Sequence, residues 1–213
     1  MSMKVLLVNG SPHKKGCTNR ALEEVAGELR AEGIEAEIFW IGNVPVGGCT
    51  ACMGCAEDGV CVFGGSVAEF QQKAREADGF VFGTPVHYAS ASGNMTAFMD
   101  RLFYSESRAK GGSTFRLKPG AVVCSARRGG TTSTFDQMNK WLTISEMIVV
   151  GSRYWNMVHG SNAEQVEQDE EGLWTMRVLG RNMAYVLKCQ EAAKAAGIAL
   201  PEREPGVSTN FIR

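Results

Sequence analysis

Apolar runs of strand length alternate with amphipathic stretches of helix length along the whole chain. The runs KVLLVN, EAEIFWI, GFVFGTPV, AVVCSA and MIVVGSRYW are separated by residues 18–32, 66–77, 91–105 and 132–146, and residues 176–196 close the series. Strands joined by helical crossovers pair in parallel, and their helices cover both faces of the sheet. VLLV and AVV are unbroken apolar runs, as strands buried on both faces require. Ala91, Met95, Phe98, Met99, Leu102 and Phe103 fall on one helical stripe. With right-handed crossovers, five strands most simply take the order 2-1-3-4-5 in a three-layer α/β sandwich. Ligands of such a sheet sit beyond the carboxyl ends of its strands, where the winding reverses between strands 1 and 3. That rule selects the loops 10–19, 84–94 and 125–132.

Composition narrows the classes of function. A chain of 213 residues with 44% apolar content suits one domain spanning 1–213, and its net charge of −1 leaves no footprint for nucleic acid or an anionic membrane. A small-molecule substrate or a protein partner fits better. No stretch approaches membrane-spanning length, and the four-residue apolar run after Lys4 is too short for a signal-peptide core, so the expected compartment is the cytoplasm. Seven cysteines are poor disulfide candidates there, and four of them crowd into the loop 48–62. The acidic stretch 160–172 reads as an exposed connection, and the tail 200–213, with two prolines, as a segment lying over a neighbouring surface or subunit.

The first loop, GSPHKKGCTN, follows a strand and opens a helix. It fits neither G-x-x-x-x-G-K-[ST] nor G-x-G-x-x-G, because Gly10 and Gly16 enclose five residues and Cys17 follows. What remains is Ser11, Thr18 and Asn19 in front of free helix N–H groups, which suits a terminal phosphate monoester such as the one on flavin mononucleotide. Thr18 as a plain N-cap and Ser11-Pro12 as a plain turn explain the same residues without a ligand. The second loop supplies Pro85, His87 and Tyr88 on the same sheet edge, a flat apolar or aromatic wall of the kind an isoalloxazine ring needs.

GSPHKKGCTN, FGTPVHYASASGNMTAFMDR and the closing TNFIR, in that order, resemble the NADPH-dependent FMN reductase family of flavodoxin-like proteins over nearly the whole chain. The resemblance implies FMN, with phosphate contacts from Ser11, Gly16, Thr18 and Asn19 and ring contacts from Pro85, Val86, His87, Tyr88 and Ser90. SARRGGTT matches less closely. Loops of this kind pass the pyrimidine edge of the ring in the family, which makes Arg127, Gly129 and Gly130 further candidates. Asp100 and Arg101 also match a family position and read as residues that order the helix after the flavin loop.

CTACMGCAEDGVC puts Cys49, Cys52, Cys55 and Cys61 in a C-x-x-C-x-x-C-x5-C spacing. Four converging thiolates suit a 4Fe–4S cluster and a tetrahedral zinc site alike. The spacing resembles that of the iron–sulfur flavoproteins, a branch of the family with a cluster beside FMN. Many of those relatives carry two acidic residues shortly after the last cysteine, where this chain reads VFGGS. Cys17, Cys124 and Cys189 read as small buried hydrophobes or loop residues.

The resemblance implies an FMN-dependent oxidoreductase that takes electrons from NADH or NADPH, with the flavin rather than a protein side chain carrying the chemistry. Its acceptor would be a quinone, a nitro compound, a free flavin or a protein. A cluster would make ferredoxin a plausible partner. A flavodoxin-like electron carrier and a zinc-stabilised binding module are the competing readings. Many relatives are oligomers, so a homodimer or homotetramer is expected.

Overall fold

The first strand, β1 (Lys4–Asn9), sends alternate side chains to opposite faces, and both faces are apolar. Val5 and Leu7 join one buried cluster, while Leu6 and Val8 join the other. A strand buried on both sides must lie at the centre of a sheet with helices above and below. A computed structural model shows this arrangement and describes residues 3–110, 112–204, 206–207 and 209.

The elements after β1 are α1 (Cys17–Ala31), β2 (Glu35–Trp40), α2 (Gly65–Ala74), β3 (Gly79–His87), β4 (Ser90–Ala91) and α3 (Gly93–Glu106). They are followed by β5 (Pro119–Ala126), α4 (Thr131–Ile144), β6 (Ile148–Val149), β7 (Met157–His159), α5 (Ala163–Val166) and α6 (Glu170–Ala195). The sheet order is β2-β1-β3-β5-β6, which is the expected 2-1-3-4-5 once the short hairpin strand β4 is set aside. Every pairing is parallel except β3 with β4. Phe70, Phe80, Phe82, Phe98 and Phe115 fill the layer under α2 and α3. The opposite layer belongs to α1 and α6 and is aliphatic.

The expected fifth strand over 147–155 is broken. β6 pairs with the start of β5 and β7 with its end. Between them the chain leaves the sheet, and Asn156 bridges the gap. Its side chain donates to the Val122 carbonyl at 3.0 Å, and its own carbonyl accepts from Cys124 N–H at 2.9 Å. The last helix begins at Glu170, earlier than the apolar periodicity predicts, because Asp169 caps it by accepting from Gly172 N–H and acidic residues fill its first turn.

Helices α1 and α6 approach closely at Gly180, where an added Cβ would stand 2.7 Å from Glu28 Cβ and 2.9 Å from the Val25 carbonyl. Arg181–Glu28 at 2.8 Å and Arg177–Glu24 tie the same seam. The tail folds back on its own chain where it is described. Arg116 donates to the Pro201 carbonyl at 3.1 Å, and Arg203 pairs with Glu146 at 3.3 Å. Of the closing TNFIR, all but Thr209 lies outside the described residues.

Candidate functional site

Asn9, the fully buried last residue of β1, shapes the loop that follows. Its Oδ1 accepts from Ser11 N–H at 3.0 Å, and its Nδ2 donates to the Lys14 carbonyl at 3.1 Å. The chain therefore curls around one carboxamide before α1 starts. Gly10 passes beneath α3, where a Cβ would meet Met95 Sδ at 2.6 Å and the Gly83 carbonyl at 2.9 Å. Trp40 Nε1 donates to the Ser11 carbonyl at 2.8 Å and pins the loop to the end of β2. No side chain caps α1 behind Gly16, so its first N–H groups keep their donor capacity toward the loop.

This loop, the end of β3 and the end of β5 enclose a cleft of about 870 Å³ at the carboxyl edge of the sheet. Ser11, Gly16, Thr18, Pro85, Val86, His87 and Arg127 line it. Thr18 and Ser125 are both buried, and their hydroxyls share a hydrogen bond of 2.8 Å that joins the first loop to the third. The Ser11 hydroxyl accepts from His13 N–H at 3.1 Å.

The remaining expected contacts lie off the lining. Asn19 is turned inward, accepting from Asn9 Nδ2 at 3.4 Å and donating to Glu23 at 2.7 Å. Ser90 pairs with His87 across the small hairpin. Tyr88 stands at the tip of that hairpin, fully exposed and with φ of +57°. Gly129 has open space around its Cβ position, and Gly130 adopts φ of +93° as the residue before α4.

Sequence reasoning missed several wall residues. Trp40 and Asn43 come from the end of β2, a strand the switch-point rule does not select. Lys14 and Lys15 add positive charge to the first loop beside His13, and Lys14 Nζ lies 5.5 Å from the Trp40 ring centroid. The stretch 160–172 is not simply an exposed connection. Gly160 to Glu164 line the cleft, Asn162 caps α5 and the side chain of Val166 is fully buried. Cys17 donates from Sγ to the Gly160 carbonyl at 3.3 Å, and burial pushes its thiol pKa up. Cys124 lies inside the core with its thiol raised to about 12 by burial, whereas Cys189 is exposed on α6.

The loop after β2 is irregular. Ala51 and Met53 have φ of +53° and +61°, and the Asn94 side chain holds Val44 and Val46 at the N-terminus of α3. Cys49, Cys52, Cys55 and Cys61 line one hollow of about 20 Å³. Cys49 and Cys52 are exposed, Cys61 is half-buried and Cys55 is buried. Burial raises the Cys55 thiol pKa, and the other three thiols add to the effect. Among the described residues, no three His, Cys, Asp or Glu side chains meet closely enough to hold a single ion.

Cys61 is held by side chains of α2 and α3. Gln71 accepts from Cys61 N–H at 3.2 Å and donates to the Gly59 carbonyl at 2.8 Å. Arg101, which the sequence assigns to ordering α3, reaches out of that helix to Cys61 Sγ at 3.2 Å and to the Gly64 carbonyl at 2.8 Å. Four thiols facing one hollow beside a buried cation have the donor chemistry of an iron–sulfur site. The hollow has room for about one water.

The family model described as NADPH-dependent FMN reductase matches residues 3–162. An iron–sulfur flavoprotein of Methanocaldococcus jannaschii is 32% identical over 193 residues, covering 87% of this chain and 98% of that protein. A second from the same organism is 28% identical over 199 residues, with the same coverage of 87% and 98%. Among solved structures, RosB with bound 8-demethyl-8-formylriboflavin-5'-phosphate superposes with a TM-score of 0.69 at 14% identity, covering 100% of this chain and 94% of its own. An NAD(P)H:quinone oxidoreductase from Methanothermobacter marburgensis gives a TM-score of 0.60 at 16% identity, covering 86% and 98%. A flavodoxin from the domain Archaea gives 0.59 at 16% identity, covering 87% and 99%. At these identities the structures speak to the fold, which is flavodoxin-like.

Proposed function

The chain belongs to the NADPH-dependent FMN reductase family of flavin-dependent oxidoreductases, and from that premise we propose that it binds FMN in the 870 Å³ cleft and uses NADH or NADPH as electron donor. The observation that carries this reading is the loop between β1 and α1. It sets Ser11 before a helix start without a side-chain cap, flanks it with His13, Lys14 and Lys15, and opens onto Pro85, Val86 and His87. A phosphate monoester is received by free N–H groups, a hydroxyl and positive charge. The wall from Pro85 to His87 and the Trp40 ring give a flat heterocycle apolar surface. Arg127 at the mouth of the third loop offers a cation to the electron-rich edge of the ring. FMN, when bound, supplies hydride and electron transfer. The acceptor proposed is a quinone, a nitro compound, a free flavin or a protein.

The four-cysteine hollow favours a second reading within the same family, in which Cys49, Cys52, Cys55 and Cys61 hold a 4Fe–4S cluster and electrons leave singly to a protein such as ferredoxin. Its support is the donor set and the names of the curated relatives. Anaerobic purification followed by an absorption spectrum tests both readings. Two structured flavin bands that NADPH or NADH bleaches are expected for the reductase. Added broad brown absorbance, with four irons and four sulfides per chain, is expected for the cluster. Colourless protein carrying stoichiometric zinc would falsify both and leave a zinc-stabilised module.

A further inference from the structure

The side chain of Arg101 is placed inside the protein at the back of the cysteine hollow, with only 7% of the residue exposed. Burying a guanidinium is costly unless its hydrogen bonds are met and its charge is balanced. Its polar contacts are Cys61 Sγ and the Gly64 carbonyl, and the Phe63 ring lies 5.8 Å from its Cζ. Among the described residues it joins none of the ion pairs within 4.0 Å, although Glu106 is buried one turn further along α3. That carboxylate is taken up by Gln71 Nε2 at 3.1 Å and Thr114 N–H at 2.9 Å. The cation therefore faces sulfur.

We propose that Arg101 is a positioning residue for the electron-transfer site, holding Cys61 through Sγ and making the cluster easier to reduce. The proposal rests on the cluster reading above. Uptake of one electron from an external donor adds negative charge to the site with no bond broken. A cation in a dry wall, donating an N–H to a ligand sulfur, stabilises the more negative form. The surroundings fix the direction of that donor. Ser105 bonds the Arg101 carbonyl at 2.7 Å, and Gln71 clamps the backbone of Cys61 from the neighbouring helix. Arginine is suited to the task because its planar fork serves Sγ and a carbonyl together, whereas the point charge of lysine does not.

The test is a dithionite titration, monitored by electron paramagnetic resonance, of anaerobically purified wild type, R101Q and R101K. Iron, sulfide and flavin contents are measured on the same samples. We expect all three to hold flavin, and the reduced-to-oxidised ratio of the cluster in R101Q to fall at least tenfold at a fixed ambient potential. For one electron that corresponds to about 59 mV. R101K, which keeps the charge without the fork, should fall between R101Q and wild type. Wild-type potentials in both loaded variants overturn the proposal and leave the cluster reading standing. A wild-type protein without iron overturns both at once. If R101Q loses iron, R101K decides: a lowered potential supports the proposal, and a wild-type potential overturns it.

Discussion

Substituting Gly10 by alanine probes the loop at the heart of the cleft. A Cβ there would lie 2.6 Å from Met95 Sδ, 2.9 Å from Met95 Cβ and 2.9 Å from the Gly83 carbonyl. The sulfur can swing aside, but the carbonyl belongs to β3 and accepts from Gly10 N–H at 2.9 Å, so relief requires backbone movement. Overpacking of this kind costs about 1–3 kcal/mol. Removing glycine from the unfolded chain returns about 0.4–1 kcal/mol, which leaves a net loss of up to about 2.6 kcal/mol, with a mid-range of about 1.3 kcal/mol. In a chain of 213 residues the mid-range loss lowers Tm by about 3–5 °C. Because Ser92 Oγ also donates to the Gly10 carbonyl at 2.9 Å, the displacement propagates into the turn beside the proposed flavin wall, and FMN affinity should weaken with stability. The measurement is urea unfolding of the apoprotein together with a fluorescence titration of FMN. Gly129→Ala, with nothing within 4 Å of its Cβ position, is the matched control and should change stability by less than about 0.5 kcal/mol. If G10A unfolds like the control, the steric reasoning is wrong.

Other perturbations have signs that follow from the structure. Glycine-to-alanine changes inside helices usually stabilise by about 1 kcal/mol, but Gly180→Ala should destabilise by up to about 2 kcal/mol net because the new methyl meets Glu28 Cβ and the Val25 carbonyl. Thermal unfolding decides, and a higher Tm would refute the close-packing account. Tyr88→Gly should leave the apoprotein as stable as wild type or up to about 1 kcal/mol more stable, since it relieves a left-handed backbone. The same variant should bind FMN more weakly, and unchanged affinity would remove Tyr88 from the ring site. Burial pushes the Glu24 carboxyl upward, but Arg177 and Arg20 outweigh burial and hold it below the ordinary carboxylate value. Its contribution is therefore complete above the unfolded value of about 4.3 and is lost as pH falls through the lower folded value. Glu24→Gln should flatten the acid limb of the stability–pH curve, and an unchanged limb would discount the pairing.

The parallel sheet was legible because its central strands are buried on both faces and its helices carry one apolar stripe, and both patterns reflect average burial alone. The broken fifth strand was not legible. MIVVGSRYW has the composition of a strand, and nothing local reveals that Asn156 closes the ladder with its side chain. In the site, Ser11, Thr18 and Pro85 to His87 were readable because the loop after β1, the start of α1 and the end of β3 meet at the switch point. Trp40 and Gly160 to Glu164 were missed because which connections fold over a cleft depends on tertiary packing that periodicity does not encode. Arg101 read as a residue that orders its helix, and its meeting with Cys61 across forty residues is likewise invisible locally. The early start of α6 is different, for the acidic residues after Asp169 announce it in the sequence.

The two outer edges of the sheet are defended against runaway strand pairing by opposite means. β6 ends after two residues, so an incoming segment finds almost no ladder to copy, despite the half-exposed Ile148 and Val149. β2 runs for six residues and would be an inviting template. Its Glu35 and Glu37, engaged by Lys4 and Lys73, line it with charge that a second apolar strand would have to desolvate. Neutralising Glu35 and Glu37 together would therefore expose the fold's main liability toward fibril growth, whereas truncating β6 would leave that liability almost unchanged.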